Sequence, residues 1–210
     1  MDSKGNLIVI SGFSGAGKGT VVKRLVEKYG YSLSVSATTR PPRPGEVDGR
    51  EYFFKTTDEF RNMIDYNGFI EWAQYVENYY GTPRRFVEDE LKKGSTVLLE
   101  IEVQGAKNVL AQYPDAILLF ITTKDAETLK ERLMSRGSET AEQVEKRIRR
   151  AAEEAKETDV YEYVVINDDL ETCVEDVHAI ITARSCERKR RAALLETLKS
   201  ELQTFAGKGE

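Results

Sequence analysis

Short apolar runs alternate along the chain with stretches whose apolar residues recur every three or four positions, the pattern of a parallel sheet flanked by helices. Residues 7–10 read as a buried strand. Residues 20–29 read as the helix that follows, with Val21, Val22, Leu25, Val26 and Tyr29 on one face and Gly30 just past its end. Further buried strands are predicted over 96–102, 116–122 and 163–166, with helices over 105–112 and 126–135 between them. A last helix is predicted from Leu170 onward, with Cys173, Val174, Val177, Ile180 and Ile181 at core spacing.

Two stretches break this rhythm. Residues 35–94 begin with a Pro/Arg-rich loop and continue with an aromatic strand near 51–54. A helix follows, opened by Thr56 with Glu59 as a capping box. A strand over 70–75 and Tyr79-Tyr80-Gly81-Thr82 come next, then a helix with Thr82 as N-cap and Pro83 at its first position. The stretch predicts a small α+β insertion. The second break, 136–150, enters a helix through a loop with Gly137, is capped by Thr140 and Gln143, and holds Arg136, Arg147, Arg149 and Arg150. Near the C-terminus, Arg188-Lys189-Arg190-Arg191 sit in a helical pattern, either a solvated helix face or a binding patch.

Composition removes several chemistries. The 210 residues are 40% hydrophobic and 32% charged, which suits one large soluble domain or a core with small insertions. His178 is the single histidine, so multi-histidine metal sites are excluded and a Ser-His-Asp triad could run only through it. Cys173 and Cys186 are too few for a disulfide scaffold or a four-cysteine zinc site. The longest apolar run, 116–121, is far short of the roughly 18 residues a membrane span needs. The first residues lead into a strand with no signal-peptide core, so a cytoplasmic chain with reduced cysteines and no membrane association is expected. A net charge of −5 argues against general nucleic-acid binding. The sequence is silent on oligomeric state.

The densest signal is Gly12-Phe13-Ser14-Gly15-Ala16-Gly17-Lys18-Gly19-Thr20, directly after a strand and directly before a helix. Glycines let this loop fold into a nest of N–H donors, the helix N-terminus adds its positive end, and Lys18 supplies a cation to the outer phosphates. Gly19 stands where a magnesium-binding hydroxyl is usual, so no direct side-chain metal ligand is assigned. On the loop alone the nucleotide is ATP or GTP. A GTPase would need an Asn-Lys-x-Asp guanine motif, and Thr122-Thr123-Lys124-Asp125 does not supply it. Asp65-Tyr66-Asn67-Gly68 follows a helix pattern and reads as a turn.

A second dense site is 36–46. Arg40 and Arg43 lie three apart on a loop stiffened by Pro41, Pro42 and Pro44, suited to gripping one phosphate. The hydroxyls of Tyr52 and Tyr80 are candidate donors to the same anion. Glu71 stands in Phe69-Ile70-Glu71-Trp72-Ala73, a carboxylate among apolar and aromatic neighbours. It reads either as an exposed strand glutamate or as an acceptor for the paired N1–H and 2-amino donors of guanine.

These stretches, together with Asn78-Tyr79-Tyr80-Gly81, Leu99-Glu100-Ile101-Glu102-Val103-Gln104-Gly105 and Asn167-Asp168-Asp169, resemble guanylate kinase in order and spacing over nearly the whole chain. The resemblance implies an α/β fold: a P-loop NTPase-type parallel sheet flanked by helices, with an inserted small α+β GMP-binding domain and a helical lid. The implied division is core at 1–34, 95–134 and 157–210 (the last with the C-terminal helix), GMP-binding insertion at 35–94 and lid at 135–156. It implies ATP-dependent phosphorylation of GMP, with dGMP as a further acceptor and Mg2+ as cofactor. It places Ser36, Arg40, Arg43, Tyr52, Glu71, Tyr80, Gly81, Thr82 and Glu102 on GMP. Arg136 and Arg147 reach from the lid over the transferring phosphate and, with Lys18, Arg40 and Arg43, make the catalytic set. Arg132 and Asn167 join the loop residues Gly12 to Thr20 on the ATP side. The chain departs from the family pattern at Phe13, where proline is frequent, at Gly19, and at Glu102, where aspartate is common.

Overall fold

The computed structural model describes residues 5–75, 77–135 and 141–206. The chain runs through β1 (Asn6–Gly12), α1 (Lys18–Tyr29), β2 (Ser32–Leu33), β3 (Ala37–Thr38), β4 (Phe53–Phe54), α2 (Thr57–Asp65), β5 (Phe69–Tyr75), β6 (Asn78–Pro83) and α3 (Arg84–Lys92). It continues through β7 (Thr96–Glu100), α4 (Val103–Gln112), β8 (Ile117–Thr122), α5 (Ala126–Met134), α6 (Ala141–Ala155), β9 (Tyr163–Ile166), α7 (Leu170–Ser185) and α8 (Ala192–Ala206).

Five strands form a parallel sheet in the order β2-β7-β1-β8-β9. Apolar residues on both faces of the central strands dictate burial on both sides. Ile8, Ile10, Leu98, Leu119 and Ile121 face α1 and α7, where Val21, Val22, Leu25, Cys173, Val174 and Val177 complete one cluster. Val9, Leu99, Leu118 and Phe120 face the other way, onto Val103, Ala106 and Val109 of α4 and Val87 of α3. α1 ends at Gly30, whose φ of 67° is the left-handed cap expected of that glycine.

A second, four-stranded sheet has the order β4-β3-β6-β5, with its own small cluster of Ala37, Phe60 and Phe69. The capping box of α2 forms as expected: Glu59 N donates to Thr56 Oγ1 at 3.2 Å, and Thr56 N donates to Glu59 Oε2 at 2.7 Å. Asn67 takes φ 53°, in keeping with the turn read at 65–68. α6 packs Val144, Ile148 and Ala151 on Leu129 and Leu133 of α5, and Phe13 of the glycine loop joins this cluster.

Several local expectations are corrected. Thr82 does not cap α3: β6 pairs with β5 as far as Phe69↔Pro83, and the cap falls on Pro83. Strand pairing outweighs the local Thr-Pro signal. α1 starts at Lys18 rather than Thr20, and β7 stops at Glu100 because Glu102 is already the N-cap of α4. The basic run 188–191 lies in the turn joining α7 to a separate final helix, with Lys189 Nζ paired to Asp115 at 2.9 Å. His178 is therefore on the penultimate helix, stacked on Tyr29 with ring centroids 3.6 Å apart. The expected cap Thr140 lies outside the described residues.

Candidate active site

The glycine loop and the start of α1 lie at the C-terminal end of β1, and Gly17 is the N-cap with no side-chain capping bond. The first N–H groups of α1 thus face the loop rather than a cap. Gly15 and Gly17 take φ of 96° and 90°, backbone that a side chain would strain. Gly17 also lies so close to Asn167 that a Cβ would stand 2.5 Å from its Nδ2. That amide donates to Ala16 O at 2.7 Å, and Arg132 Nη2 donates to Asn167 O at 2.8 Å. The structure therefore brings Arg132 and Asn167 to the loop as braces for its backbone. Lys18 Nζ arches over the loop, donating to Gly12 O at 2.6 Å and Phe13 O at 3.3 Å. Arg147 of α6 reaches in from above, its Nη1 3.2 Å from Ser14 Oγ. Arg136 lies outside the described residues.

Glu100, which the sequence reading left without a role, ends β7 facing this loop. A Cβ on Gly19 would lie 3.6 Å from both carboxylate oxygens. Burial pushes the carboxyl above the usual glutamate range, and the Lys18 ammonium opposes that rise. A carboxylate closing the strand beside a phosphate loop was the available signal.

On the second sheet Arg40, Tyr52 and Tyr80 converge. The Arg40 guanidinium lies over the rings of Tyr52 and Phe54, 5.4 and 5.8 Å from their centroids, and Tyr52 meets Tyr80 edge-on at 6.1 Å. Burial raises the Tyr52 phenol pKa, so it stays a hydroxyl donor. Glu46 sets the loop: Oε1 accepts from Arg40 Nη2 at 2.9 Å and Oε2 from Arg43 N at 2.7 Å. The Arg43 amide bond is the main reason the Glu46 carboxyl is held below its usual range, with Arg40 adding to it. The prolines alone do not aim Arg40; Glu46 does part of that. Arg43 is exposed, and its guanidinium makes no hydrogen bond or close ion pair with a described residue, acting on Glu46 only through its charge. Ser36 is half-buried just before β3, its carbonyl accepting from Phe53 N.

Glu71 is no exposed strand residue: it is 7% exposed. Its Oε1 accepts from the Thr82 hydroxyl at 2.6 Å, which is the role Thr82 takes in place of the cap. Burial raises the carboxyl's pKa, and the bonds from Thr82 oppose that. Gly81, beside Thr82, has no room for a side chain: a Cβ would lie 2.9 Å from Phe69 Cδ1 and 3.0 Å from Trp72 Cβ. Its glycine is thus explained by strand packing. Glu102 stands at the N-cap of α4, mostly exposed, and its carboxylate is 3.4 Å from Arg150 Nη2, an ion pair between α4 and α6.

A phosphate-binding loop on a parallel sheet, faced by a small sheet carrying an arginine, two tyrosines and a buried carboxylate, defines a P-loop kinase of the nucleoside monophosphate class. The guanylate kinase family model matches residues 4–184. A guanylate kinase of Caldanaerobacter subterraneus subsp. tengcongensis is 47% identical over 199 residues, 94% of this chain and 97% of that protein. The crystal structure of guanylate kinase from Anaplasma phagocytophilum superposes with a TM-score of 0.79 at 31% identity, covering 95% of this chain and 96% of that one. An uncharacterized protein from Eubacterium ventriosum shares the fold at a TM-score of 0.50 and 16% identity. The chain belongs to the guanylate kinase family, and its reaction is the ATP-dependent phosphorylation of GMP.

Proposed function

We propose that the core, 1–34 with 95–134 and 157–210, binds ATP at the glycine loop, that 35–94 holds GMP, and that 135–156 acts as the lid. The Gly12–Thr20 loop and Lys18 take the triphosphate, with Arg132 and Asn167 holding the loop's shape. Arg40, Arg43, Tyr52 and Tyr80 take the GMP phosphate. Glu71, set by Thr82, accepts the two donors of guanine, with Ser36 and Gly81 on the same nucleotide. Arg147 and Arg136 meet the charge that develops on the transferred group. dGMP, with the same base and phosphate, is expected as an acceptor too. The observation that carries this reading is Glu71: a desolvated carboxylate anchored by the Thr82 hydroxyl, on the same sheet as the Arg40–Tyr52–Tyr80 cluster.

A phosphate oxygen of GMP is already anionic near neutral pH, so attack on the γ-phosphate needs no strong base. What it needs is in-line positioning and stabilisation of charge spread over the phosphoryl oxygens. Arginines and Lys18 suit both, and one well-placed arginine is worth on the order of 10³ to 10⁵ in rate. Histidine has no part in this chemistry, in keeping with His178 being stacked away on α7.

The residues fit a magnesium ion. The Glu100 carboxylate is half-buried beside Gly19 and Lys18, has the Glu102 carboxylate as a neighbour, and accepts no hydrogen bond from a described residue. Gly19 offers no hydroxyl, so Glu100 and Glu102 would hold the ion through its water shell. When bound, magnesium neutralises charge on the phosphates.

The test is stoichiometry. Purified protein with Mg2+, ATP and GMP should form ADP and GDP one for one, with little ADP when GMP is omitted. ADP release that does not require GMP, or no GDP, would overturn the assignment.

A further inference from the structure

We propose that Gly105, with the first turn of α4, forms the rear wall of the guanine site and is a positioning residue for acceptor specificity. The inference rests on Glu71 reading guanine, and Gly105 helps to hold that carboxylate in place. Gly105 is the third residue of α4. A Cβ there would lie 2.6 Å from Glu71 Oε2, 3.1 Å from its carboxyl carbon and 3.4 Å from Ile101 Cδ1. The first distance is closer than side-chain carbons come to any atom, so any other residue must displace either Glu71 or α4.

Glu71 has little room to yield. Its Oε1 is held by the Thr82 hydroxyl, its backbone is in register with Thr82 on β6, and the side chain is almost fully buried. α4 is fixed as well. At its far end the Gln112 amide donates to Ile70 O, the residue before Glu71, and Gln112 Oε1 accepts from Arg84 Nη2 at 2.8 Å. One helix therefore grips β5 at two points, and the gap between them fits a carboxylate only because position 105 has no side chain.

The same contact bears on charge. The first N–H groups of a helix have no intrahelical acceptor and carry its positive end. The α4 N-cap, Glu102, makes no side-chain capping bond. Glu71 Oε2 lies against that end of α4. A helix end of that sign favours the ionised carboxylate that guanine's two donors require, in the same direction as the two bonds from Thr82 that oppose burial.

Steady-state rates on the full chain test this with Gly105→Ala, Glu71→Ala and the double variant. Alanine is the better helix former, so helix propensity does not threaten α4. Gly105→Ala should lower kcat/KM for GMP about 10- to 100-fold, the range expected when a positioned group is pushed aside. The ATP KM should stay within about twofold. The preference for GMP over inosine monophosphate, which lacks the 2-amino donor, should narrow. With Glu71 already alanine, adding Gly105→Ala should change the GMP rate less than about twofold, because the clash has no partner. A glycine needed only for folding would give the same loss in both backgrounds, and that result, or a Gly105→Ala enzyme with unchanged GMP kinetics, overturns the proposal. Should Gly105→Ala alone fail to fold, recovery of folding in the double variant supports the clash with Glu71, and continued failure overturns it. If Glu71→Ala itself leaves GMP use intact, the reading of Glu71 falls instead, which is a distinguishable outcome.

Discussion

Replacing Glu71 by glutamine changes one atom and removes one charge, and its effect follows from the contacts of that carboxylate. In the wild type Oε1 accepts from the Thr82 hydroxyl at 2.6 Å, leaving acceptor capacity for two donors from the base. Glutamine has one oxygen and one NH2. If the oxygen keeps Thr82, the NH2 faces guanine's donors and both bonds are lost. If the NH2 turns to Thr82, whose hydroxyl can also accept, the oxygen satisfies a single guanine donor. The better arrangement therefore loses one of two charge-assisted bonds and weakens the other. Hydrogen bonds to charged groups contribute about 1.5–3 kcal/mol each, so the net loss is about 2–4 kcal/mol, on the order of 30- to 1000-fold in kcat/KM for GMP. The assay is initial-rate ADP formation with GMP varied at saturating ATP, then ATP varied at saturating GMP. The ATP KM should hold within about twofold, and Tm should not fall, since glutamine removes a desolvated charge. A loss below about threefold for GMP, or equal losses for GMP and ATP, would refute the role given to this carboxylate.

Other outcomes follow from the same geometry. Glu46→Ala should raise the GMP KM about tenfold with the ATP KM unchanged, because it frees Arg40 and the Arg43 amide from a shared carboxylate; titration of both substrates checks this. Phe13→Ala should lower stability by about 1–3 kcal/mol, seen as a lower Tm, since the ring meets Phe120 at 4.8 Å and joins the α5–α6 cluster. On acidification, the GMP KM should rise at a pH above that at which an ordinary glutamate titrates, while the ATP KM lags behind. Burial raises the Glu71 pKa, so protonation begins early, and the acid form cannot accept both guanine donors. The linkage to folding has the opposite sign: a raised carboxyl favours the folded state below its unfolded pKa, and that contribution is lost as pH rises through the folded value. A GMP KM that stays flat across that pH range while rates remain measurable would contradict it.

Much of this architecture was legible locally. A strand, a glycine loop and a helix are contiguous, and Thr56 with Glu59 spans a single turn, so short-range patterns were enough. The same rules failed where a distant partner decided. Thr82-Pro83 carries a good helix-start signal, yet the pairing of β6 with β5 took both residues, and the Thr82 hydroxyl went to Glu71. The helical pattern across 170–210 is interrupted by a turn at 186–191, tied down through Lys189 to Asp115, 74 residues away. In the site, the chemistry-bearing types stood out: Lys18, Arg40, Tyr52 and Glu71. Residues that matter through what they touch did not. Glu46 is one charged residue among many, Glu100 needs the sheet order to face Gly19, and Gly105 is informative only once Glu71 is placed behind it. Resemblance assigns Asn167 and Arg132 to the nucleotide, and their contacts brace the loop that would hold it.

On the function proposed above, a buried carboxylate selects the acceptor base while arginines and Lys18 serve the phosphates, which every acceptor shares. The most direct measurement is kcat/KM for GMP and for AMP on the same enzyme with Mg2+ and ATP. AMP carries the phosphate but lacks the donor pair, and leaving Glu71 unpaired should hold it about 10⁴-fold below GMP. An AMP value within about tenfold of GMP would contradict the account.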